Sequence, residues 1–131
     1  MGAIAFSIIR AKLLAAFYGE VTEEVLMRLF LTAFFIWAGM KLSRRGMPSS
    51  IVIWTSIVLA SIIFGLGHLP ITASVTAITP LVVARAVVLN GIVEIAFGWL
   101  YWKNGLESAI IAHFTADVFL LTLLPLIFQK N

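Results

Sequence analysis

Four stretches of this chain are apolar around all sides of a helix, with polar residues gathered at their ends. They cover residues 21–40, 50–67, 80–102 and 106–128. A transmembrane helix needs about 20 apolar residues, so each is predicted to be a main span. A fifth, shorter stretch over 3–18 is broken by Arg10 and Lys12. It is predicted to be a short first span or an amphipathic helix at the interface, with Gly19 as the break after it. Transmembrane strands would alternate apolar and polar residues over about ten positions. These runs do not alternate. The predicted fold is all-α: a polytopic transmembrane bundle of four main spans plus a short N-terminal helix.

The punctuation between the runs fits this layout. Lys41, Arg44, Arg45, Gly46 and Pro48 form a basic loop, which marks the cytoplasmic side. His68, Leu69 and Pro70 end the second run, and residues 71–79 read as a loop or short helix. Pro80 suits the first turn of a helix. Lys103, Asn104 and Gly105 make the next turn. Trp37, Trp54, Trp99, Tyr101 and Trp102 then crowd one interface as an aromatic belt. Splitting residues 69–102 into two short spans, 69–84 and 86–102, would give five main spans. Each half is short of a full crossing, so the single helix is preferred.

Composition agrees. Hydrophobic residues make up 62% of the 131 and charged residues 11%, with mean hydropathy +1.09. A soluble domain carries roughly 25% charged residues. The chain therefore reads as an integral, multi-pass membrane protein forming one domain over 1–131. Membrane lipid is its first partner, and nothing suggests a nucleic-acid surface. The sequence leaves oligomer formation open. There is no cysteine, hence no disulfide, no thiolate ligand and no thiol nucleophile. Arg10 and Lys12 argue against a signal peptide.

Ionisable residues inside spans are costly and need a partner or a function. Glu24 and Arg28 stand at i,i+4 with the acid first, the favoured order for a helical ion pair. Glu23 points about 100° away, so it is not tied to Arg28 and is available as a general base. Glu20, Glu23 and Glu24 could equally be an acidic cluster complementing a helix dipole. His113 and Asp117 share a face at i,i+4, where an acid can orient an imidazole. His68 ends the second span after Phe64, Gly65 and Gly67, small residues that admit a close neighbour. Glu94 shares a face with Gly91 and Gly98. It is read as structural, paired to an arginine on a neighbouring helix such as Arg85 or Arg10. Glu107 reads as a dipole-complementing residue.

Glu23-Glu24-x-x-x-Arg28, Phe64-x-x-x-His68 and His113-x-x-x-Asp117 together resemble the three-motif signature of the CAAX protease and bacteriocin-processing (Abi) family of intramembrane endopeptidases. The motifs at 23–28, 64–68 and 113–117 occur in the family's order. Members usually have further helices before the first motif, where this chain has residues 1–18, as a minimal or a truncated member would. The resemblance implies that Glu23 activates water and that Glu24 and Arg28 form its supporting ion pair. It implies that His68 and His113 stabilise the oxyanion or bind a metal. Asp117 stands where the prenyl-protein branch often has Asn. Asp cannot donate as Asn can, and it favours a charged or metal-bound His113.

Such an enzyme hydrolyses a peptide or lipidated-peptide substrate. No cofactor is required by the glutamate route. A divalent metal such as zinc, held by His68, His113 and Glu23, is the alternative. A catalytically silent immunity or scaffold protein and a proton-coupled transporter are the rival readings. The protease reading expects Glu23, His68, His113 and Asp117 to line one cavity. Straight helices oppose this: at 1.5 Å per residue, Glu23 and His68 lie about 27 Å, and His113 about 12 Å, from the cytoplasmic side.

Overall fold

The computed structural model describes residues 2–120, with the side chains of 2–5, 8, 9 and 12 set aside. The first feature departs from expectation. Residues 2–43 form one continuous helix: α1 (Gly2–Glu24), a π-helical segment (Val25–Thr32) and α2 (Ala33–Ser43). Gly19 does not break it. A glycine costs a helix only about 1 kcal/mol relative to alanine, a small penalty within the 23-residue α1. The 3–18 stretch is thus neither a separate span nor a separate interface helix.

Beyond the basic loop lie α3 (Ser50–Gly67), the short α4 (Leu69–Ala73), α5 (Pro80–Asn104) and α6 (Leu106–Val118). Ser49 caps α3 by accepting from the Val52 N–H, and Thr79 caps α5 by accepting from the Val82 N–H. Pro80 takes the first helical position, as its missing donor permits. Because α5 runs unbroken for 25 residues, the two-short-span alternative falls. Among the described residues three helices are long and apolar enough to cross a membrane: Leu13–Ser43, Ser50–Ala73 and Pro80–Asn104. The fourth predicted span is described as α6, and residues 121–128 of it lie outside the described residues.

Close approach of α3 and α5 organises the bundle. A methyl group on Gly65 would stand 2.8 Å from the Val87 Cα, and one on Gly98 would stand 2.7 Å from Ile57 Cγ2. Without side chains, these positions let the two backbones meet, the small-residue packing of membrane helices. The pairs 65/87 and 57/98 fix an antiparallel register. At one end of it the Trp54 and Trp102 rings meet edge to face at 6.1 Å, with Lys103 Nζ 4.3 Å above Trp102. The start of α3 and the end of α5 therefore meet there. Gly39 packs on Val52 to bring α2 against α3.

The interior is polar and the exterior oily. Among the described residues Glu20, Glu24, Arg28, Thr32, Ser56, Ser61, Glu94 and His113 are buried, while Leu42, Phe30, Ile51 and Leu81 are exposed. Lipid is as apolar as leucine, so burying leucine gains little there. What must be sheltered is charge. Ser56 and Ser61 answer their own burial by donating to the carbonyls of Val52 and Ile57.

Candidate active site

The charged interior is built from three helices around Arg28. Its guanidinium donates from Nε to Glu24 Oε2 at 2.8 Å, and both side chains are wholly buried. Nη2 reaches Glu24 Oε1 at 3.4 Å, which completes a fork. The same Nη2 lies 2.7 Å from Glu94 Oε1 on α5. Glu94 therefore pairs with Arg28, and not with Arg10 or Arg85 as its sequence position suggested. A planar guanidinium can face two carboxylates at once, which i,i+4 counting within one helix does not reveal. Gly98 makes room for it, since a methyl there would stand 3.3 Å from Arg28 Nη1.

Arg28 lies within the π-helical segment, whose register is seen where the Ala33 N–H meets the carbonyl of Arg28. Such segments are rare and frequent at functional sites. Nothing in the sequence marks it.

From Glu24 the network passes to α6. His113 Nδ1 lies 2.9 Å from Glu24 Oε1. A carboxylate held by arginine only accepts, so Nδ1–H donates. The imidazole is in contact with two aromatic rings. It stacks on Phe97 at 4.8 Å, and the Phe64 ring lies T-shaped to it at 6.1 Å. Its second nitrogen, Nε2, lies 3.9 Å from Glu23 Oε2. Glu23 itself is 47% exposed and has no ion pair with Arg28. The doublet is thus divided as its 100° separation required: one acid locked, one at the edge.

Asp117 and Glu20 complete the cluster. Glu20, His113 and Asp117 each offer a ligand atom, all within 4.8 Å of one another. Glu20 is 5% exposed. It is not an acid at a helix start, because α1 begins 18 residues earlier, at Gly2. Four residues before Glu24, it repeats on the same face, and that spacing was the available signal. Glu107 does sit in the first turn of its helix.

His68 stands apart from this cluster. Its Nδ1 bonds the Phe64 carbonyl at 2.9 Å in its own helix, and its ring lies 4.5 Å from that of Phe64. Phe64 therefore touches both histidines. Among the described residues the set close enough to share an ion is Glu20, His113 and Asp117, which differs from the expected His68, His113 and Glu23.

The depth difference closes without splitting α5. A π-helix rises less per residue than an α-helix, which shortens the path from Glu24 to the basic loop.

A family model described as type II CAAX prenyl endopeptidase Rce1-like matches residues 5–119. No curated protein and no solved structure matches the chain. The match covers both ends of the charged network, from Glu20 to Asp117. This chain belongs to the Rce1-like family of type II CAAX prenyl endopeptidases, integral membrane proteases.

Proposed function

We propose that this protein is an intramembrane endopeptidase that hydrolyses its substrate with water activated by Glu23. The observation that carries the reading is the division of the acidic doublet. Glu24 is locked between Arg28 and His113, while Glu23 is half exposed, apart from Arg28, with Oε2 3.9 Å from His113 Nε2.

Glu23 takes a proton from water as the water oxygen bonds to the scissile carbonyl carbon. The carbonyl electrons move to oxygen, and the resulting oxyanion needs a positioned donor. Glu24 accepts a hydrogen bond from Nδ1–H of His113 and supports the imidazolium, whose Nε2–H donates to that oxyanion. Glu23 then passes its proton to the leaving nitrogen as the C–N bond breaks. His68, with Nδ1 engaged by the Phe64 carbonyl, presents Nε2 from the α3 side as a second polar group near the substrate. Asp117 adds negative charge that favours the charged His113.

The four-span layout belongs to the same reading, with α6 continuing across the membrane as the fourth span. Family membership favours a peptide bearing a C-terminal lipid as substrate. Neither the silent-partner nor the transporter reading gains support from it. The test is cleavage of a farnesylated peptide by purified protein in proteoliposomes, read by mass spectrometry. Release of the C-terminal tripeptide is expected. Failure to cleave this peptide, an unlipidated one and a leader peptide alike would contradict the reading.

A further inference from the structure

We infer that Glu94, a residue outside all three motifs, is a positioning residue for the hydrolysis: through Arg28 it reserves Glu24 Oε1 for His113. Its part in catalysis rests on the peptidase reading above, and its part in the geometry does not.

Charge gives the first reason. Arg28 already has an ion-pair partner in Glu24, at 2.8 Å on the same continuous helix. A second carboxylate is not needed to neutralise it. Glu94 is nevertheless wholly buried, and a buried carboxylate is costly in a membrane interior. Nearby on α5 the core is closed by uncharged residues, Gly91 and Phe97. The charge at Glu94 needs a use.

The distances around Arg28 Nη2 give the second. Three oxygens lie near it: Glu94 Oε1 at 2.7 Å, Glu24 Oε1 at 3.4 Å and the Glu94 carbonyl at 3.5 Å. A sound N–H···O bond spans about 2.7–3.2 Å. Nη2 is thus drawn to Glu94, and its hold on Glu24 Oε1 is slack. That oxygen is the one that accepts from His113 Nδ1–H, at 2.9 Å. Arg28 grips Glu24 through Nε and Oε2 instead. Each oxygen of Glu24 therefore serves one main partner, Oε2 the arginine and Oε1 the histidine. Without the carboxylate of Glu94, Nη2 is released to close a symmetrical fork on Glu24, and Oε1 is shared.

The third is the face of α5 on which Glu94 stands. Phe97, three residues on, stacks against His113 at 4.8 Å. Gly98, four residues on, leaves room for Arg28 Nη1, which would stand 3.3 Å from a methyl there. Residues three and four apart share a helix face. A helix that carries none of the motifs thus sets both the arginine and the histidine that the motifs supply.

Nitrogen-edited proton NMR of protein carrying isotope-labelled histidine, in detergent, tests this, with a melt recorded for every variant. His68→Ala leaves only the His113 signals and so assigns its Nδ1–H. That proton lies downfield while Glu24 Oε1 accepts it. In Glu94→Gln, which keeps the shape and removes the charge, it should move upfield. Glu94→Asp keeps the charge and withdraws the oxygen, so it should move the signal the same way by less, and it carries the test if Glu94→Gln does not fold. Gly39→Ala, which crowds Val52 at the contact of α2 with α3, should lower the melt and leave the signal in place. Cleavage of the farnesylated peptide supplies the second readout. In Glu94→Gln, kcat per folded molecule should fall about 10- to 100-fold, within what a misplacement of about 1 Å costs, with KM unchanged. An unmoved His113 signal in the folded Glu94 variants would overturn the inference. So would an equal shift in Gly39→Ala, or a loss confined to KM. A signal that moves in Glu94→Gln while wild type cleaves nothing would leave Glu94 positioning His113 and remove the peptidase reading. Wild-type cleavage with an unmoved signal would do the reverse.

Discussion

Two seams of opposite character hold this bundle. Between α3 and α5 the contact is dry: Gly65 meets the backbone at Val87, and Gly98 meets Ile57. Between α1, the π-helical segment, α5 and α6 the contact is ionic, running from Glu94 through Arg28 and Glu24 to His113. The dry seam gains from close packing and asks nothing of solvent. The ionic seam must offset the desolvation of every charge in it, and it holds only while each charge has its partner. A membrane protein needs the first kind of seam to fold. The second kind is what the proposed chemistry would use.

Breaking the ionic seam at its centre should have the largest effect. Arg28→Ala strands Glu24 and Glu94 together, and removing one partner of a buried pair costs about 3–5 kcal/mol. The variant should lose folded protein and activity together, seen as a collapsed melting temperature in detergent. An unchanged melt would show that the pair contributes nothing.

Crowding the dry seam should cost less and act differently. Gly65→Ala sets a methyl 2.8 Å from a backbone carbon that cannot rotate away, and overpacking costs about 1–3 kcal/mol. Stability should fall while activity per folded molecule holds. Gly98→Ala sharpens the contrast, because its methyl would meet Ile57 on one side and Arg28 on the other. It should reduce both stability and turnover. If the two variants behave alike, the seams are not separable.

The smallest effect lies outside both. Arg44 caps α2 at φ 53 and ψ 31, the left-handed region that glycine favours. Arg44→Gly should raise stability by about 1 kcal/mol, with no change in cleavage. A loss of stability there would mean that the charge matters more than the backbone.

How much of this is legible in the sequence depends on the distance over which each feature is decided. The end of α3 follows from His68-Leu69-Pro70, which is local, and it stands where expected. Pro80 announces α5 for the same reason. The Glu24–Arg28 pair is legible because both partners sit on one helix. The partner of Glu94 is not, because it is 66 residues away and is chosen by which faces of three helices meet. Gly19 misleads because its small cost in a helix is outweighed by its neighbours. The motifs single out His113 and Asp117, but Glu20 joins them only through the packing of α1 on α6. The π-helical segment leaves no pattern in residue type at all.

The central claim is that Glu23 is the base and Glu24 is its scaffold, and one comparison tests it. Cleavage of a farnesylated peptide is measured for Glu23→Gln and Glu24→Gln beside wild type, with melting temperatures recorded for all three. Glu23→Gln should retain the wild-type melt, since Glu23 has no part in the Arg28 pairing. It should lose cleavage by about 10²–10⁴-fold, the worth of a general base. Glu24→Gln should lower the melt and activity together. Wild-type turnover in Glu23→Gln, or a melt that falls as far as that of Glu24→Gln, would contradict the account.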